Sequence, residues 1–325
     1  MEKDLIAWFL QAPDWVKYRA HLDLADFKTP DENLSNLKFT MRGDPQVQAS
    51  ISLLNSWQTT PLKRHNDSSH PLHHLVFLSD LGFSYQDDPI LMQVVNFILE
   101  NLDELKLPTM LFNIPTGYGG TGEDQWAWML CDAPLVLYAL TQLGLGNHAK
   151  VIAARQQLID FAQGNGWPCK VSTELGKFRG PGRKSDPCPY ATLLLVKLLS
   201  LNPHANEENA LNQGVESLLS FWSERKQKKM YLFGMGSDFQ KIKAPLIWFD
   251  LLHFLDIFSK FPNLKNDSRL LEMNQLLTNK SDPQGRYTAE SIYLPWKNWE
   301  FGQKKVPSWW ITFLVERIQE RIFTD

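Results

Sequence analysis

Asp186-Pro-Cys188 stands at the head of an apolar run, Tyr190 to Leu199, and sixty-five residues beyond Cys188 a second apolar run carries His253 within Phe249-Asp-Leu-Leu-His253. Carboxylate, thiolate and imidazole are side chains that give Zn²⁺ a tetrahedral site with one position open, the catalytic arrangement. Asp186, Cys188 and His253 are therefore the candidate metal ligands, and Zn²⁺ is the expected cofactor. At such a centre a substrate thiol takes the open position and is held as thiolate for attack on an electrophile. The other route activates a water for hydrolysis. Hydrolysis needs a general base, for which Asp132 and Asp250 are the candidates, each at an apolar run. Taken singly, a cysteine on an apolar helix is a small core residue and Asp186 an N-cap; the conjunction carries the reading.

These residues cooperate only if the runs that carry them are neighbours. Apolar runs begin near His73, Cys131, Cys188, Ile247 and Ser308, at spacings of 58, 57, 59 and 61 residues. A fixed period of this length marks a repeat architecture. The runs, such as Leu135-Val-Leu-Tyr-Ala-Leu140, are apolar nearly all round and predict inner helices covered on both sides. Between them Ile90 to Leu107, His148 to Ala162, Ala205 to Arg225 and Ser268 to Lys280 place apolar residues at three- and four-residue spacing, the mark of outer helices with one buried face. An all-α fold follows, read as a closed ring of helical hairpins, an α/α toroid, in one domain over 1–325. Within residues 1–60, Asp4 to Leu10 and Val47 to Trp57 read as helices and Thr29 to Asn36 as a loop. Strand signals are scarce, and the one Asn-Gly pair, Asn165-Gly166, has no alternating segments beside it.

A net charge of −3 gives no ground for nucleic-acid binding. No run approaches the roughly 20 apolar residues of a membrane span. Three cysteines make no disulfide framework and suit a reducing compartment, so a cytoplasmic protein is expected. Local charge is more informative. Lys170, Lys177, Arg179, Arg183 and Lys184 precede one inner run, Arg225 to Lys243 hold six more cations before the next, and Lys297, Lys304 and Lys305 precede the last. A ring would gather these groups where the inner helices begin and their free N–H groups attract anions. Lys177, Arg179, Arg183 and Lys184 are thus candidate substrate contacts at a basic mouth. Among the many aromatics, Trp128, Trp248 and Tyr190 are candidates to line a central cavity. His70, His73 and His74 point to different helix faces and make a poor metal set.

The run Gly182-Arg-Lys-Ser-Asp186-Pro-Cys188-Pro-Tyr190-Ala-Thr-Leu-Leu-Leu-Val-Lys-Leu-Leu199 resembles the zinc motif of protein prenyltransferase β subunits, and Asp250-Leu-Leu-His253 is similar to their later Asp-x-x-His motif. The resemblance implies the α/α toroid shared with squalene and hopene cyclases. It also implies zinc on Asp186, Cys188 and His253, diphosphate contacts from Arg183 and Lys184, and a separate helical partner subunit. The family's His-Gly-Gly-Tyr motif has no counterpart, since this chain reads Gln125-Trp-Ala-Trp-Met-Leu-Cys131 there, and the Asp-x-Asp-Asp acid of the cyclases is missing. Cys131 and Cys169 keep open a second zinc set like that of lanthionine cyclases, although the Cys-His-Gly pattern of those enzymes is absent; Cys131 otherwise reads as core. The expected function is zinc-dependent transfer to a thiol, with a small molecule, a peptide or an isoprenoid diphosphate as substrate. The alternatives are a zinc hydrolase and a non-catalytic module that holds a peptide, glycan or lipid.

Overall fold

The computed structural model describes residues 3–27, 31–180, 183, 186–202, 206–228 and 233–324. The chain is mostly helical, with thirteen α-helices and one two-stranded sheet among the described residues. It divides into two compact units, Ile51–Gly234 and a second made of Met1–Ser50 with Met235–Asp325. No helix is long and apolar enough to cross a membrane among the described residues.

The unit Ile51–Gly234 alternates two kinds of helix. α5 (Pro71–Asp80), α7 (Ala133–Leu140) and α9 (Pro189–Leu199) bury nearly every residue, and α5 packs on α7 and α7 on α9. α6 (Pro89–Glu100) buries Leu91, Val94, Val95 and Ile98, and α8 (Ala149–Ile159) buries Val151, Ala154, Arg155 and Leu158. Both sets follow the i, i+3, i+4, i+7 pattern of a single covered face. α8 packs on α7, and α10 (Glu208–Ser223) packs on α9. Each inner helix opens on proline at its first or second position, where the missing N–H removes no helical bond.

In the other unit, α2 (Asp14–Asp23) packs on α3 (Asp31–Gly43) and on α13 (Trp309–Phe323), and α11 (Leu251–Phe258) packs on α12 (Ser268–Thr278) and α13. α1 (Lys3–Phe9) stacks Trp8 against Trp309 at 5.3 Å between ring centroids. Arg317 ties the unit's two chain segments together, donating to Asp23 at 2.9 Å and to Asp256 at 2.7 Å. Trp15 lies against Trp299, Phe301 and Trp310, so much of the tryptophan excess is packed core. α4 (Pro45–Leu53) follows α3 after Asp44, whose carboxylate accepts the Gln46 N–H.

Two expectations need correction. Asp31 to Asn36, read as loop, is the first part of α3, and Leu34, Leu37 and Met41 recur along it at helical spacing; Thr29 and Pro30 lie outside the described residues. The chain also holds a hairpin, β1 (Met110–Asn113) against β2 (Asp124–Ala127), with Met110 opposite Ala127 and Asn113 opposite Asp124. Three consecutive buried residues in β1 hide the alternation by which a strand is recognised. Leu62 extends this hairpin, donating to Leu111 O at 2.8 Å and accepting from Asn113 at 3.3 Å.

Candidate active site

The reactive residues gathered in the unit Ile51–Gly234 are Cys188, Cys131, Asp132 and His65. Cys131 and Asp132 sit at the start of α7, with Asp132 as its N-cap residue, and Cys188 is the N-cap residue of α9. Because α7 and α9 pack together, their first turns bring the two cysteines to a Sγ···Sγ separation of 3.9 Å. A strap, residues 167–172, pins both helix starts. Cys188 N–H donates to Trp167 O at 2.7 Å, Leu130 N–H to Lys170 O at 3.0 Å, and Ser172 N–H to Trp128 O at 3.0 Å. Cys169 lies on the strap, half-buried, with Sγ accepting the Gly180 N–H at 3.0 Å.

His65 comes from the loop before α5 and completes the cluster. Its Nδ1–H donates to Asp132 Oδ2 at 2.8 Å, and its ring lies 6.2 Å from that of Tyr190. The loop is fixed from several sides. Leu62 joins β1, the His70 ring bonds Thr60 O at 3.0 Å while accepting from Leu72 N–H, and the His73 ring donates to His65 O at 3.0 Å. The three histidines considered as a metal set thus serve as scaffold in part. Burial pushes His73 down to about 3 and His74 down to about 4, which keeps both rings neutral.

The electrostatics favour an ionised Cys188. The Cys131 thiol, hydrogen-bonded to it, is the largest influence and holds the Cys188 pKa down, to about 7. Burial opposes this, while the N–H groups of Ala191 and Tyr190 and the charge of His65 add to it. The side chain stands at the positive end of α9, a setting that lowers thiol pKa values. Cys131 is pushed well above its ordinary value by its bond to Cys188 and by burial. Burial pulls His65 down, but the Asp132 carboxylate and the Cys188 charge outweigh it and leave the pKa raised. Asp132 is fully buried and its Oδ1 has no hydrogen-bond partner among the described residues, so its interaction is concentrated on His65. A thiol, an imidazole and a carboxylate are thus gathered at the starts of α7 and α9, with His65 bonded to Asp132 and its charge acting on Cys188. The His65 side chain is 25% exposed and Cys188 is half-buried.

The other residues singled out from the sequence lie as follows. Asp186 accepts the Arg183 backbone N–H at 2.8 Å. Arg179 and Lys177 are exposed on the loop before Arg183, with Arg179 close enough to Cys169 to favour its thiolate; Lys184 lies outside the described residues. Tyr190 is fully buried beside His65. Trp128 is core, its Nε1–H donating to Asp103 at 2.6 Å and its ring stacked on Phe161. In the other unit Asp250 caps α11, accepting the His253 N–H at 3.0 Å, and the His253 ring bonds Trp248 O at 2.9 Å. Burial pushes Asp250 up to about 7, against the pull of Lys243 at 3.9 Å. Among the described residues no group of three His, Cys, Asp or Glu side chains is arranged to hold a metal ion.

Sequence reasoning placed Asp132 and Cys188 among the reactive groups but missed His65, and it read Cys131 as core. His65 sits in Lys63-Arg-His65-Asn, with neither helical nor strand periodicity, and only its unassigned imidazole marked it. No protein-family model matches the chain, and no curated protein shows significant similarity to it.

Proposed function

We propose that the protein is a cysteine-dependent acyl-transfer enzyme in which Cys188 is the nucleophile, His65 the acid and base, and Asp132 the residue that orients His65. The observation that supports it is the His65–Asp132 bond at 2.8 Å beside a thiol at the positive end of a helix. Cys188 Sγ attacks a carbonyl carbon, and His65 passes its proton to the departing group. The resulting thioester is cleaved when His65 takes a proton from water or from an acceptor nucleophile, which regenerates the thiol. Exposed Arg179 and Arg183 on the neighbouring loop favour an acyl substrate that carries a carboxylate or phosphate.

The test is intact-protein mass spectrometry after mixing with p-nitrophenyl acetate. An acetyl adduct mapped to Cys188, absent in Cys188→Ser and formed more slowly in His65→Ala, is the expected result. Acetylation confined to lysines, with Cys188 unmodified, would refute the proposal.

A second reading is zinc-dependent thiol transfer on an α/α toroid. It is favoured by the separation of Cys131 and Cys188, since two thiolates on one tetrahedral zinc lie about 3.8 Å apart for Zn–S bonds of about 2.3 Å. The alternation of fully buried and one-faced helices supports the toroid. Elemental analysis separates the readings: stoichiometric zinc, lost in both Cys131→Ser and Cys188→Ser, selects the second.

A further inference from the structure

We propose that Cys131 and Cys188 form a reversible disulfide pair in which a hydroperoxide oxidises Cys188 and Cys131 resolves the oxidised sulfur. The two thiols, 3.9 Å apart, need about 1.8 Å of closure to reach the S–S bond length of about 2.05 Å. Each sulfur is carried on a rotatable Cβ at the start of a helix, so side-chain rotation supplies closure of this size. The strap 167–172 hydrogen-bonds beside both cysteines, at Leu130 and at Cys188, and keeps the two helix starts in place while the side chains turn. Cys131 is buried and Cys188 half-buried, which assigns the solvent-side step to Cys188 and the resolving step to Cys131. Cys169 is the third thiol of the neighbourhood, but its sulfur is engaged by the Gly180 N–H at 3.0 Å.

The chemistry balances in two steps. The Cys188 thiolate attacks the distal peroxide oxygen, the O–O bond breaks, and the alkoxide leaves as alcohol after taking a proton. Sulfur is oxidised by two electrons to sulfenic acid and the peroxide is reduced. The Cys131 sulfur then attacks the sulfenic sulfur, and the expelled hydroxide leaves as water with the Cys131 proton. An external thiol reverses the bond by exchange through a mixed disulfide. The disulfide removes the Cys188 nucleophile, so acyl transfer stops until the pair is reduced. This inference rests on the reading of Cys188 as a reactive thiol.

The test treats reduced protein with at least two equivalents of hydrogen peroxide, one for the sulfenic step and one for any further oxidation, blocks free thiols with N-ethylmaleimide and maps the peptides by mass spectrometry. A Cys131–Cys188 linked pair, about 2 Da lighter than the two free peptides and reversed by dithiothreitol, is expected. In Cys131→Ser, Cys188 instead proceeds to sulfinic acid, about 32 Da heavier. A Cys169–Cys188 pair, or equal sulfinic acid in wild type and Cys131→Ser, overturns the proposal. Iodoacetamide labelling of the reduced protein is run in parallel. Labelling at Cys188 without the disulfide defeats this inference alone, whereas a Cys188 inert to both reagents defeats the acyl-transfer reading as well.

Discussion

The ionisation of Cys188 gives the sharpest quantitative prediction. An ordinary thiol with a pKa of 9.0 is about 1% thiolate at pH 7, whereas one held down to about 7 is about half ionised, a gain of about fiftyfold. Each thiolate is less nucleophilic as its pKa falls, with a Brønsted coefficient of about 0.4–0.5, so two units lower the rate per thiolate about sixfold to tenfold. The net expectation is alkylation at pH 7 about five to eight times faster than for an ordinary exposed thiol, with the inflection near pH 7. Iodoacetamide rates across pH 5 to 10, measured in a Cys169→Ser background, read both quantities. Cys131→Ala moves the inflection upward because it removes the strongest influence on Cys188, and His65→Ala moves it the same way by removing a neighbouring charge. Asp132→Asn follows His65→Ala, since the carboxylate sustains the charge on His65. A wild-type inflection near 9, unmoved by His65→Ala, would refute the reasoning.

Further predictions concern the scaffold. Arg155 is 5% exposed and donates to Glu207 at 2.6 and 2.7 Å and to the Leu201 carbonyl at 2.8 Å; Arg155→Met strands a buried carboxylate and lowers urea-unfolding stability by about 3–5 kcal/mol. A Cβ on Gly214 would stand 2.7 Å from the Trp167 ring and 2.9 Å from Val196, so Gly214→Ala forces α9 and α10 apart and costs about 1–3 kcal/mol in the same assay. Asp250, pushed up to about 7 in the fold from its ordinary 3.8, holds its proton more tightly folded than unfolded. Its contribution is therefore complete below pH 4 and is lost as pH rises to 7, a change of about 4 kcal/mol; Asp250→Asn flattens that part of the stability profile, read by thermal unfolding at fixed pH steps. His73→Phe removes the bond to His65 O, and Cys188 alkylation at pH 7 falls toward the ordinary rate while far-ultraviolet circular dichroism stays unchanged.

The helices were legible because their signals are local. Leu91, Val94, Val95 and Ile98 announce the covered face of α6, and Asp88-Pro89 supplies its cap and first-turn proline within the same stretch. The near-complete burial of α7 and α9 follows from runs with no polar face. Where local patterns mislead, neighbours decide. β1 lacks alternation because three of its residues are buried in succession. Trp128 resembled a cavity residue only until its indole was seen to meet Asp103 and Phe161.

The site divides in the same way. Residue type and helix-start position marked Cys188 and Asp132 as reactive, because a thiol or carboxylate at the start of a helix has its chemistry set partly by the turn that follows. Their partner was decided by tertiary structure. His65 lies in an aperiodic loop, held by Leu62 on β1 and by the rings of His70 and His73, and none of those bonds leaves a periodic trace in the chain. Cys131 looks like any small core residue until α7 packs on α9 and sets its sulfur 3.9 Å from Cys188. Periodicity and capping act over a few residues and can be read from the chain, whereas the convergence of a thiol, an imidazole and a carboxylate depends on which helix starts packing brings together.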